Sequence, residues 1–142
     1  MATKVTQNIL YLTSKKAIDF SADSFKIILM VSGFTYNRAT HHKYSDVSAS
    51  ELGTGNGYTQ ATKVLTGVTV TRDDTLFKTV VTWANPQWTA SGGSIGPSPG
   101  AFIYDDTHAD DPLVQYIDFG GDGTEPDGGT FTITNPKTEF TT

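Results

Sequence analysis

Apolar side chains recur along this chain with a period of two, the spacing of a β-strand. The clearest case spans Ala101–Phe119, where Ala-Phe-Ile-Tyr and Leu-Val-Gln-Tyr-Ile-Asp-Phe flank a polar connection. Two such runs joined by a longer loop read as a β-hairpin. In the first run Ala101 and Ile103 face one way, Phe102 and Tyr104 the other. A strand apolar on both faces has something packed on each, so this pair is expected at the centre of a sheet. In the second run, alternation puts Leu113, Gln115, Ile117 and Phe119 on one face and Val114 and Tyr116 opposite. Pro112 marks the end of the connecting loop, because proline is tolerated at the first residue of a strand but not inside it.

Other runs repeat the pattern. In Phe25–Val31, Phe25, Ile27, Leu29 and Val31 line one face and Ile28 and Met30 the other. Val64–Thr71 places Val64, Thr66, Val68 and Val70 together. Leu76–Ala84 places Phe77, Thr79, Val81 and Trp83 together, and Arg72-Asp73-Asp74 turns the chain between these two runs. They predict a second hairpin. Asn85-Pro86 breaks it, and Trp88 is expected to plug the edge of the core. Thr130–Thr134 predicts a last strand with Phe131 and Ile133 inward.

Between the strands lie polar segments. Residues 1–16 predict an N-terminal arm or a short helix, Gln7 to Lys16, anchored by Ile9 and Leu10; an arm could reach a neighbouring subunit. Residues 33–63 form a long polar loop, in which Ser48-Ala49-Ser50-Glu51 fits a capping box. Residues 90–100 and Gly120–Gly129 read as flexible connections, and 135–142 as a polar C-terminal tail. Six or seven strands with long connections predict an all-β fold, an antiparallel β-sandwich of jelly-roll-like or Ig-like type over residues 17–134.

Composition supports this picture. Thr is the commonest residue and Gly is frequent, whereas helix formers are scarce. The 142 residues suit one core, and the absence of Cys removes disulfides and Cys-based zinc sites. A net charge of -5 argues against a nucleic-acid partner. The charge is uneven: residues 101–142 carry -8 and residues 1–100 carry +3. Such asymmetry can orient a subunit in an assembly. Ile9-Leu10-Tyr11-Leu12 is too short for a signal or membrane segment, so the chain is expected to be soluble, made in the cytoplasm and without a membrane partner.

Candidate chemistry is sparse. Asp105, Asp106, His108, Asp110 and Asp111 crowd one loop, and Asp122, Glu125 and Asp127 another. Carboxylates at this density can hold Ca²⁺, but the spacing matches no EF-hand, and acidic loops are more often solvated surface. A hydrolase acting through Asp105–Asp111 is the enzymatic alternative. His41 and His42 are adjacent and in a strand would point oppositely, which disfavours a shared metal. No nucleophile elbow, phosphate loop or His-Glu-x-x-His motif occurs. The expectation is therefore no enzyme, no cofactor and no metal. Tyr36, Arg38, His41, His42, Tyr44 and Tyr58, all in the long loop, are the candidate interface residues.

Read in order, Asp23-Ser24-Phe25-Lys26-Ile27, Tyr44-Ser45-Asp46, Glu51 through Gly55-Asn56-Gly57-Tyr58, Leu65-Thr66-Gly67-Val68, Trp88, Tyr104-Asp105-Asp106-Thr107, Tyr116-Ile117-Asp118-Phe119-Gly120 and Gly129-Thr130-Phe131 form a series. It resembles small virion proteins encoded among the structural genes of tailed bacteriophages, of the capsid decoration (cement) or head-fibre type. The resemblance covers most of residues 17–134, and Gly92–Gly100 departs from it. It implies a capsid decoration protein on the outer virion surface, clamping neighbouring major capsid protein subunits as a dimer or trimer of itself, with no catalytic residues. The alternative is a tail- or fibre-associated module that binds host surface glycans.

Overall fold

The computed structural model describes residues 2–142. Its elements are β1 (Ala2–Val5), α1 (Gln7–Ser14), β2 (Phe25–Leu29), α2 (Tyr44–Val47), β3 (Thr69–Asp73), β4 (Lys78–Thr82), β5 (Gln87–Thr89), β6 (Ile95–Asp105), β7 (Leu113–Glu125), β8 (Thr130–Thr132) and β9 (Lys137–Thr141). Every strand pairing is antiparallel. A four-stranded sheet runs β1-β7-β6-β2, a three-stranded sheet β3-β4-β9, and a two-stranded sheet β5-β8. The fold is thus all-β, with antiparallel sheets packed together and two short helices.

The four-stranded sheet is apolar on both faces, as the alternation in β2 and β6 requires. Phe25, Ile27 and Leu29 join Ala101 and Ile103 in one cluster, with Val81, Trp88 and Phe131 from the other sheets and Trp83 and Ile133 just past the ends of β4 and β8. Ile28 and Met30 join Phe102 and Tyr104 in a second cluster on the opposite face. Trp83 and Trp88 are both buried, Trp88 as expected of a residue that plugs the core.

In β7 the expected faces fail at one point. Ile103 pairs with Gln115 while Tyr104 pairs with Leu113, so Val114 is an extra residue, a β-bulge. The bulge turns Leu113 to the cluster of Tyr116 and sends Val114 to that of Ile117. One inserted residue therefore reverses the parity that simple alternation assigns.

The segments read as loops and tails hold further surprises. Residues 95–100 belong to β6 and residues 120–125 to β7, so the central hairpin is far longer than its apolar centre. Its distal part pairs through glycine: a side chain at Gly100 would strike the Tyr116 hydroxyl. The supposed polar tail is β9, paired with β4 from Lys137 to Thr141. Its Thr138 is fully buried and donates its hydroxyl hydrogen to Oε1 of buried Gln115 at 2.8 Å, and Gln115 Nε2 donates to the Lys137 carbonyl. This clip ties β9 to the four-stranded sheet. The N-terminal segment from residue 2 onward is docked as well: β1 pairs with β7 of its own chain, and α1 is capped by buried Thr6, whose hydroxyl accepts from the Ile9 N–H. The helix ends at Ser14, two residues short of the expected Lys16.

The second hairpin starts later than its apolar pattern suggests. Residues 63–65 run along the edge of β2, with Ile27 N–H on the Lys63 carbonyl and Leu65 N–H on the Phe25 carbonyl. That pairing buries Leu65 and exposes Val64, and Gly67, at φ 66°, redirects the chain before β3 begins. Of the four residues expected to share a face, Val64, Thr66 and Val70 are exposed and Val68 is half-buried. On β4, Val81 is buried and Thr79 half-buried, while Phe77 lies at the exposed tip.

The clip gives a direct test of β9. Truncation after Pro136 removes the β4–β9 pairing and leaves Gln115 unsatisfied in the interior. Urea denaturation is expected to show a loss of about 2–4 kcal/mol; a free tail would leave the midpoint unchanged.

Candidate interaction surface

The long loop after β2 is ordered because it has apolar work to do. Its first part crosses the outer face of the four-stranded sheet, where Phe102 and Tyr116 lie 4.9 Å apart between ring centroids. Phe34 packs on both at 5.7 Å, and Tyr36 at 5.4 Å and 5.6 Å. His41 stacks on Phe34 at 5.4 Å, and Tyr44 stacks on Tyr104 at 5.0 Å. Aromatic pairs at these separations contribute roughly 0.5–1.5 kcal/mol each beyond area burial. Burial pushes the Tyr116 hydroxyl up to about 12 and raises that of Tyr36, the latter opposed by Arg38.

The loop is pinned at Glu51, which is 3% exposed. Its Oε1 accepts the Tyr44 hydroxyl at 2.6 Å, and Oε2 accepts the Tyr58 hydroxyl at 2.7 Å and the Ala61 N–H at 2.9 Å. Tyr58 in turn accepts the Leu29 N–H at 2.9 Å. The network therefore ends on the backbone of β2. Burial, then the bond to Glu51, raises the pKa of both tyrosines, so both remain hydroxyl donors. The expected capping box at Ser48 does not form: Ser48–Ser50 is one 3₁₀ turn, and the Glu51 side chain is spent on the tyrosines. The local helix α2 is instead capped by Asp46, which accepts from the His42 and Lys43 N–H groups.

The six candidate interface residues consequently divide. Tyr58 is in the core, 2% exposed, against Trp88 and Glu51, and offers no contact surface. Tyr36, His41 and Tyr44 are half-buried cover for the sheet. Arg38 is exposed on the 37–40 turn, and half-buried His42 directs Nε2 to the Ala39 carbonyl at 3.0 Å. Beside that turn stands α1, whose Leu10 and Tyr11 are 50% and 58% exposed. Gln7, Asn8, Tyr11, Ala39 and His42 line a shallow depression of about 550 Å³. The sequence pointed to the N-terminal arm as a surface that could reach a neighbour, but of its two expected anchors only Ile9 is buried; Leu10 faces solvent with Tyr11.

The Asp105–Asp111 residues do not converge. Asp106 pairs with Lys26 at 3.3 Å, Asp110 is exposed, and among the described residues no three metal-ligating side chains gather. Asp105 is fully buried, with Oδ1 accepting the Thr107 and His108 N–H groups. Burial first, and the neighbouring Asp23 carboxyl second, push its pKa up from 3.8 to about 7. The opposing backbone bonds are too weak to offset them.

Comparison of the chain with protein-family models, with curated proteins and with solved structures returns no match.

Two substitutions probe these buried carboxyls. Glu51→Gln replaces one acceptor oxygen with an NH₂ that confronts other donors, and should cost about 2–4 kcal/mol in urea denaturation. Asp105 carries its proton in the folded state up to about pH 7, whereas the unfolded chain releases it near 3.8. Stability contributed by this group is therefore full at low pH, declines as pH rises through that window, and is flat above it. Asp105→Asn should gain on the wild type by about 1–3 kcal/mol between about pH 4 and about pH 8. An unchanged difference across that range would contradict the assignment.

Proposed function

We propose that this chain is a bacteriophage virion structural protein of the capsid decoration type, working by contact and not by chemistry. The observation that carries this reading is where the apolar surface remains. Among the described residues the large exposed apolar side chains fall into two groups, Leu10 and Tyr11 on α1 and Val64, Val70, Leu76 and Phe77 around the second hairpin. A frame with sealed cores and two apolar patches suits a protein that lies between others. The patch of α1 with Arg38 and His42 is the contact for the major capsid protein, on the outer surface of the shell. Each contact contributes through buried area with a polar rim, and many copies multiply it.

The acidic groups support an oriented placement. Asp106, Asp110 and Asp111 sit around the turn of the β6–β7 hairpin, and Asp122, Glu125 and Asp127 at its opposite end. Two negative poles on one long hairpin favour some alignments in an assembly over others. The ordered series of sequence landmarks points to the same class of protein.

A second reading is favoured by one feature. The exposed Tyr11 ring, the amides of Gln7 and Asn8 and the imidazole of His42 surround one open depression. A flat aromatic beside amide donors suits stacking on a sugar, as a tail- or fibre-associated glycan-binding module would require.

Copy number in purified virions separates the two. Decoration predicts on the order of hundreds of copies per particle, whereas a handful would overturn it. Co-sedimentation with shells of the major capsid protein should weaken by about tenfold or more for the Tyr11→Ala, Arg38→Glu double variant, with an unchanged unfolding midpoint. Loss of glycan-array binding in that variant, without loss of shell binding, would select the second reading.

A further inference from the structure

The fold treats its sheet edges unequally. The outer edge of β2 is covered along its length: residues 63–65 bond to Phe25 and Ile27, and residues 50–52 to Leu29 and Val31, through N–H groups at 2.8–3.0 Å. The outer edge of β3 is covered by nothing among the described residues. Thr69, Val70, Thr71 and Arg72 are exposed, and Thr-Val-Thr favours a strand. A row of free N–H and C=O groups of this kind is a template for another strand.

We infer that β3 pairs antiparallel with β3 of a second copy across a two-fold axis at Thr71, joining two three-stranded sheets into one of six strands. This deepens the proposed function by naming the surface on which copies meet, and it rests on the oligomeric part of that reading only. Three observations select a second copy as the occupant. First, an axis at Thr71 uses all five residues of β3, setting Thr71 opposite Thr71, Val70 opposite Arg72 and Thr69 opposite Asp73, with no like charges directly opposed. Second, the hairpin is neutral within a chain of net charge -5: Arg72 and Lys78 balance Asp73 and Asp74, and Arg72 Nε is already held by Asp74 at 2.8 Å. Copies that would repel through their acidic halves can meet here. Third, the exposed apolar side chains Val70, Leu76 and Phe77, of which Phe77 is 68% exposed, lie on this hairpin and Val64 just before it. Phe77 also stands at φ 54°, an unfavourable conformation for a bulky residue, with its carbonyl accepting from the N–H and hydroxyl of Thr142. The tip is thus held outward with its ring in water.

The absence of Cys makes the pairing directly testable. Thr71→Cys introduces a lone thiol that faces its own copy at a Cα separation of about 4.5–5.5 Å, within disulfide reach. Mild oxidation should convert it to a covalent dimer, while Thr62→Cys, exposed elsewhere, should form no covalent dimer under the same treatment. Sedimentation velocity from about 1 to about 200 µM should show a dimer of the unmodified protein, weakened by about tenfold or more in Val70→Glu. A monomer throughout, a dimer indifferent to Val70→Glu, or equal cross-linking of both cysteine variants would overturn the inference. Shell co-sedimentation of Val70→Glu separates the two proposals: a monomer that still coats shells leaves decoration standing, and a dimer that never does leaves the interface standing.

Discussion

The constraint from which the rest follows is that β2, β6 and the first part of β7 are apolar on both faces. Water cannot be allowed on either side of such a sheet, so the remaining residues are divided between two covering tasks. The smaller sheets and α1 cover one face with Trp83, Trp88, Phe131 and Ile9. No strands remain for the other, and the loop after β2 covers it with Phe34, Tyr36 and Tyr44. The long loop is therefore a structural layer, and its unusual length is explained by the area it must span.

A covering loop without a hydrogen-bonded ladder needs fixing points, and Glu51 is the main one. A buried carboxylate is costly unless its lone pairs are filled. Here two hydroxyls and one backbone N–H fill them, and Tyr58 links the group to β2. The same stretch also completes the edge of β2 through the Leu52 N–H and the Leu29 carbonyl at 2.8 Å. Fixing the loop thus seals a sheet edge as well as a face. The surface left uncovered is what remains: the 37–42 turn and α1 on one side, and the second hairpin on another.

The central strands were legible in the sequence because burial on both faces forces nearly every residue to be apolar, and both clusters can be read from Phe25–Met30 and Ala101–Tyr104. Legibility ended where the pattern is broken by something non-local. The Val114 bulge reverses the faces of Leu113 and Val114 without any change in residue type. The outer parts of β6 and β7 are rich in Gly and Pro, and are strands only because each supplies the other's backbone partners. β9 reads as polar because its inward residue is Thr138, whose hydroxyl is satisfied by a glutamine more than twenty positions away. At the surface, Tyr58 looked available because nothing in its neighbourhood announces that Glu51 folds back onto it. Arg38 is exposed because a charged residue in a turn has few other places to go.

A cover made of side chains on a loop and a cover made of paired strands need not share one lifetime. Amides of the β6–β7 ladder are released only when the sheet itself comes apart, whereas those of residues 33–43 can meet solvent through a local excursion that lifts Phe34 and Tyr36. Such an excursion would bare Phe102 and Tyr116, an aromatic floor, while the opposite core stayed intact. Phe34 and Tyr36 thus decide how readily that floor meets water, and Glu51 fixes the far end of the loop that carries them.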